Sequence, residues 1–134
     1  MRIAIQGKPF DADMAPHLQR LFDDLAARQL QVAVARPFHA LLSQQLQLPD
    51  NLTLFERGDD LRGTDYVLSI GGDGTLLDTV TYVGRHQIPI LGINTGRLGF
   101  LSTVAPDQIP QALDALFRGH FTLESRSLIH ADTD

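Results

Sequence analysis

Short apolar runs alternate along this chain with longer segments whose apolar residues recur every three or four positions, the pattern of strands and amphipathic helices taken in turn. Residues 3–5 read as a buried strand opening onto Gly7-Lys8-Pro9, and Asp11 or Asp13 then suits the cap of a helix carrying Met14, Leu18, Leu21, Phe22 and Leu25 on one face. Residues 30–35 read as a second strand, Pro37 suits the first turn of a helix through Leu41, Leu42 and Leu46, and residues 52–55 make a weaker third strand. The polar stretch 56–64 reads as a surface loop. Residues 66–70 are the clearest strand, β-branched and aromatic and ended by two glycines. A helix over 75–82, a strand over 88–93 and a helix over 107–117 follow, with Gly119 where a C-cap belongs.

Strands and helices in alternation, joined by short connections, imply parallel pairing with right-handed crossovers. The expected fold is α/β: an open, mostly parallel, doubly wound sheet with helices on both faces. In such sheets ligands sit beyond the carboxyl ends of the strands, where neighbouring crossovers leave to opposite faces. The stretch 121–130 alternates like a strand with little left to pair against, so a domain boundary is expected near Gly119. Residues 1–119 would be the α/β domain and 120–134 the start of a second domain, strand-like at its outset, that is cut short in this chain.

Composition removes several classes of function. With 134 residues, 43% hydrophobic and 20% charged, the chain suits one folded domain with a sizeable core. Sixteen acidic residues against eleven basic ones give a net charge of -5 with no Lys/Arg cluster, which disfavours a nucleic-acid partner. No run approaches the length of a membrane span, the first residues lack the apolar region of a signal peptide, and cysteine is absent, so the cytoplasm is the expected compartment. The five histidines show no metal-binding spacing, and none of the candidate site residues is expected to ligate a metal.

Two glycine-bearing stretches carry the candidate chemistry, and each begins where an apolar run ends. In Gly71-Gly72-Asp73-Gly74-Thr75, residues without a Cβ stand where backbone N–H groups could approach phosphate oxygens, and the following helix contributes its positive end. Asp73 is the carboxylate placed to take a proton from a hydroxyl or to orient it. The same five residues also suit a tight strand-to-helix turn in which Asp73 only caps the helix. Neither the Gly-Lys-Ser/Thr ending of a Walker loop nor the spacing of a dinucleotide fingerprint is present. The second stretch runs Leu91-Gly92-Ile93-Asn94-Thr95-Gly96-Arg97-Leu98-Gly99-Phe100-Leu101. There Asn94 and Thr95 fall at a strand end, in reach of Asp73 or a ligand. Leu98, Phe100 and Leu101 either wall an adenine pocket or pack in the core, Leu77 is split the same way, and Arg97 reads as solvated. Lys8 could meet a phosphate from the mouth of the first strand, although such a lysine is more often simply exposed.

The GGDGT stretch resembles the signature shared by NAD kinases, diacylglycerol and sphingosine kinases and, in related form, phosphofructokinases. LGINTGRLGFL, together with the opening strand and its Gly7-Lys8-Pro9 turn, resembles the NAD kinase pattern closely and the lipid kinases poorly. The resemblance covers nearly the whole chain. It implies a Rossmann- or flavodoxin-like, phosphofructokinase-like N-terminal domain that transfers a phosphoryl group from ATP or polyphosphate to the 2′-hydroxyl of the adenosine ribose of NAD, giving NADP. It further implies a divalent cation, Mg2+, on the phosphates, Asp73 as the proton acceptor, and Gly71, Gly72, Asp73, Gly74, Thr75, Leu77, Asn94, Thr95, Phe100 and Leu101 as binding residues. Homo-oligomerisation is expected through the second domain, and the stretch at hand is expected to be nearly inactive without it. A diacylglycerol-type kinase domain and a non-catalytic nucleotide-binding module are the alternatives.

Overall fold

The computed structural model describes residues 1–84, 86–95, 104–119, 121–123 and 129–131. Five parallel strands form one sheet in the order β3-β2-β1-β4-β5: β1 (Arg2–Gly7), β2 (Gln31–Ala35), β3 (Thr53–Phe55), β4 (Tyr66–Gly71) and β5 (Ile90–Asn94). The connecting helices are α1 (Ala15–Ala27), α2 (Arg36–Ser43) and α3 (Asp73–Val83), and α4 (Ile109–Phe117) follows β5. Beyond them β6 (Phe121–Leu123) and β7 (Ile129–Ala131) pair antiparallel.

The central strands are apolar along nearly their whole length because both faces are covered, as parallel sheets require. Alternation of side chains tells which helix covers which face. A Cβ on Gly7 would meet the Phe38 ring of α2 at 2.6 Å, whereas Gln6, one residue earlier, bonds Asp78 of α3. Hence α2 lies on one face of the sheet and α3 on the other. The aromatic contact of Phe55 from β3 with Tyr82 of α3, ring centroids 5.7 Å apart, places Phe55 on the α3 side as well. α1 shares the α2 face, since its crossover from β1 to β2 runs in the same direction as that from β2 to β3. On that side Leu18, Leu21, Phe22 and Leu25 are sealed, each such side chain worth roughly 1.5–3 kcal/mol of transfer free energy.

Several boundaries differ from the sequence reading: α2 ends at Ser43, leaving Leu46 buried in the turn after it, and β5 starts at Ile90 rather than at residue 88. Asp11 does not cap α1: it opens a short 3-10 turn over Ala12–Met14, closed by the Met14 N–H donating to the Asp11 carbonyl at 2.9 Å. Pro16 then enters the first turn of α1, where its missing N–H costs nothing. More consequentially, α3 starts at Asp73 rather than at Thr75, so the second half of the glycine motif is helix and not loop.

Candidate functional site

β1 leads to β2 on one side and β4 leads to β5 on the other, so the chain reverses its direction of winding between β1 and β4. The ends of those two strands are therefore the place where a crevice opens above the sheet. They are stitched together: Gly7 pairs with Ile70, and the Lys8 N–H donates to the Ile70 carbonyl at 3.2 Å. Gly71 pairs in turn with Asn94 at the end of β5. Gly7-Lys8, Gly71-Gly72-Asp73 and Asn94-Thr95 thus meet at one edge.

The three glycines of the motif do different things. Gly71 is required by the fold, because a Cβ there would stand 2.7 Å from the Thr75 Cβ, with φ at +155°. Thr75 is buried and β-branched, so it has little freedom to withdraw. Gly72 and Gly74 are exposed, and apart from their chain neighbours and the helix's own backbone no described atom lies within 4 Å of a Cβ built on either. Gly72 is the N-cap of α3 with φ at -105°, a value any residue adopts, and Gly74 is inside the helix, where alanine would be preferred. Two residues without a Cβ on either side of Asp73 let a ligand approach the backbone closely.

Asp73 is the first residue of α3 and half-buried. It does not cap the helix: Gly72 holds that position and has no side chain to offer, while the Leu76 N–H donates to the Gly72 carbonyl at 3.1 Å. A carboxylate in the first turn interacts favourably with the positive end of the helix, whose first backbone N–H groups have no partner within the helix. Leu77, one turn on, is an exposed large apolar residue, 52% accessible. Asn94 is buried at the end of β5 and Thr95 half-buried beside it. Phe100 and Leu101, with the rest of 96–103, lie outside the described residues.

A seam of buried polar groups holds α3 to the sheet beneath the crevice. Ser69 of β4 bonds Thr79 at 2.8 Å, and the Thr79 hydroxyl donates to the Thr75 carbonyl at 2.8 Å. Gln6 donates to Asp78 at 3.2 Å. Among the described residues no buried side-chain nitrogen or oxygen lacks a hydrogen-bond partner. Such a seam fixes the rotation of the helix about its axis, and so the direction in which Asp73 points.

Sequence reasoning missed the group around Asp78. This carboxylate takes the Lys8 ammonium at 3.1 Å and the Arg57 guanidinium at 2.7 Å, while Arg57 also reaches the Thr81 hydroxyl and stacks 4.3 Å over the Tyr82 ring. Burial works to raise the Asp78 pKa, but the hydrogen bonds from Arg57 and Lys8 outweigh it and hold the carboxyl below its ordinary range. The loop 56–64 is thus tied to α3 rather than merely solvated. Lys8 is both half-exposed and paired, a combination the sequence reading did not consider. Elsewhere, a groove of about 320 Å³ between α1 and α4, lined by His17, Arg20, Ile109 and Leu113 among others, lies on the α1 face, away from this crevice. No helix among the described residues is long and apolar enough to cross a membrane.

Comparison with known proteins gives the same direction. The chain is 40% identical over 135 aligned residues to the NAD kinase of Cytophaga hutchinsonii, covering 100% of this chain and 46% of that protein. It is 39% identical to the NAD kinase of Acidithiobacillus ferrooxidans, covering 98% of this chain and 43% of the relative. The chain therefore spans less than half the length of these curated relatives. Its fold is similar to that of a yeast NADH kinase crystallised with NADH, with a TM-score of 0.73 at 22% identity over 93% of this chain and 43% of that one. Residues 3–121 match the ATP-NAD kinase N-terminal domain, and the chain belongs to that family.

Proposed function

We propose that the crevice at the ends of β1, β4 and β5 is the nucleotide-facing part of an NAD kinase, which phosphorylates the 2′-hydroxyl of the adenosine ribose of NAD with ATP. The observation that carries this reading is Asp73 set between two exposed glycines, with no described side chain packed against either, at the switch point of the sheet. Membership of the family and the names of the relatives support it.

In this mechanism the Asp73 carboxylate accepts the 2′-hydroxyl proton as the ribose oxygen bonds to the γ-phosphorus of ATP. The bond from that phosphorus to the β-γ bridging oxygen breaks, ADP leaves with the pair of electrons, and the proton passes from Asp73 to solvent. A carboxylate is a weak base, so its contribution comes from being placed and oriented more than from proton affinity. Backbone N–H groups of the Gly72-Asp73-Gly74 turn face the phosphates, Leu77 offers an apolar wall to the adenosine, and Asn94 and Thr95 bound the site from β5. Phe100 and Leu101 belong to the same proposal as further walls.

Among the described residues no three His, Cys, Asp or Glu side chains converge into a metal site. A Mg2+ ion is proposed as a companion of the ATP phosphates, and no step is routed through it. The domain division at Gly119, a second domain that completes the dinucleotide site, and oligomerisation through that domain are part of the same proposal, as is a cytoplasmic location.

The test is a substrate panel on the protein at the full length of its relatives and on residues 1–134. ATP with NAD is expected to give NADP in the full-length protein and little in the shorter chain. Product from diacylglycerol, or no NADP from the full-length protein, would refute the assignment.

A further inference from the structure

Lys8 and Arg57 come to Asp78 from opposite sides and from elements far apart in sequence, one from the end of β1 and the other from the loop after β3. Arg57 takes one carboxylate oxygen, Oδ1, at 2.7 Å, while Lys8 and Gln6 share the other, Oδ2, at 3.1 and 3.2 Å. The Lys8 ammonium is thereby stretched from the β1 end across to the second turn of α3. Its own backbone is bonded to Ile70, the residue before the glycine turn. Yet the Lys8 side chain remains 51% exposed and Arg57 50%, while Asp78 is 23% exposed. An ammonium has three N–H donors, among the described residues Asp78 is the one ion-pair partner of Lys8, and the cluster of Lys8, Arg57 and Asp78 carries one net positive charge.

A salt bridge whose only purpose was to pin the loop would need no second cation. One carboxylate between two cations holds both in place without cancelling both charges. Building on the kinase reading above, we infer that Asp78 is a positioning residue that presents Lys8 to a polyphosphate entering the crevice beside Gly72 and Gly74, with Arg57 anchoring Asp78 from behind. The ligand class is a chain of linked phosphates, the triphosphate of a nucleotide or inorganic polyphosphate. A lysine serves there as a movable point charge, able to keep its bond to Asp78 while donating to phosphate oxygens.

Inorganic tripolyphosphate, titrated calorimetrically into residues 1–134 at low and at physiological ionic strength, is the probe. Lys8→Met should weaken binding about fivefold or more and flatten its salt dependence, and Lys8→Arg should restore affinity to within about twofold. Asp78→Asn adds a unit of positive charge to the site. Charge alone would therefore make this variant bind more tightly, whereas loss of positioning makes it bind more weakly, which is the expected result. Circular dichroism checks that each variant is folded, and if Asp78→Asn is not, the Lys8 pair decides. Unchanged affinity in Lys8→Met, tighter binding in folded Asp78→Asn, or no binding by the unaltered chain overturns the inference. NADP formation by the full-length protein, measured separately, shows whether the kinase reading stands regardless.

Discussion

Gly74→Ala should raise stability and remove function, and the two effects follow from the same piece of geometry. Gly74 lies in the first turn of α3, exposed, and apart from its neighbours and the helix's own backbone no described atom lies within 4 Å of the added methyl. Alanine is better than glycine in a helix interior by about 0.8–1.0 kcal/mol, and less in the first turn, so a gain of about 0.5 kcal/mol is expected. For a domain of this size that is a rise of roughly 2 °C in Tm. The companion substitution Gly71→Ala has the opposite sign, because its Cβ would stand 2.7 Å and 3.0 Å from the Thr75 Cβ and Cγ2 at a φ of +155°. Overpacking and backbone strain together give a loss of about 2–5 kcal/mol. If backbone at 72–74 approaches a ligand, the new methyl of Gly74→Ala occupies that approach, and NAD affinity of the full-length protein should fall more than about tenfold. The assay pairs a thermal melt with an NAD titration. A Gly74→Ala protein that melts no lower than its parent and binds NAD equally well would show that no ligand comes near this turn.

Other substitutions test other parts of the account. Gly7→Ala drives a methyl into the buried Phe38 ring at 2.6–2.8 Å and should cost about 1–3 kcal/mol in urea denaturation. The double variant with Phe38→Leu should lose less than the sum of the two single changes, and strict additivity would refute the contact. Leu77→Ser, at a 52% exposed position, should leave Tm within about 1–2 °C of the parent while lowering NAD affinity. Acid titration tests Asp78. Its folded pKa lies below the ordinary 3.8, so the folded state binds fewer protons than the unfolded one between those values. The stability it contributes is complete above the unfolded value and disappears as pH falls through the folded one. Asp78→Asn should therefore lose less stability than the parent between neutral pH and about pH 3, and parallel curves would contradict the pairing.

Much of the fold was written in local pattern. β4 was plain because an apolar, β-branched run ends on paired glycines, and the parallel order follows from helices placed between strands. The glycine stretches pointed to a single edge because both begin at strand ends that the sheet brings together. What stayed hidden was long-range. Arg57 lies in a polar loop that looks solvated in sequence, and its partner Asp78 is 21 residues away on a helix face that gives no sign of an incoming cation. One signal was available: Gln6 interrupts an otherwise apolar strand just before a glycine, and a polar residue buried there needs a partner. The start of α3 was placed two residues late because Gly72 and Gly74 argue locally for a loop. The burial of Thr75 under Gly71 and the Ser69-Thr79 bond outweigh that preference.

Asp73→Asn in the full-length protein keeps the shape of the side chain and removes its capacity to accept a proton, so it separates chemistry from binding. NADP formation with ATP should drop by about a hundredfold or more while NAD affinity stays within a fewfold of the parent. A variant that turns over at the parental rate would contradict the assignment of Asp73 as the base.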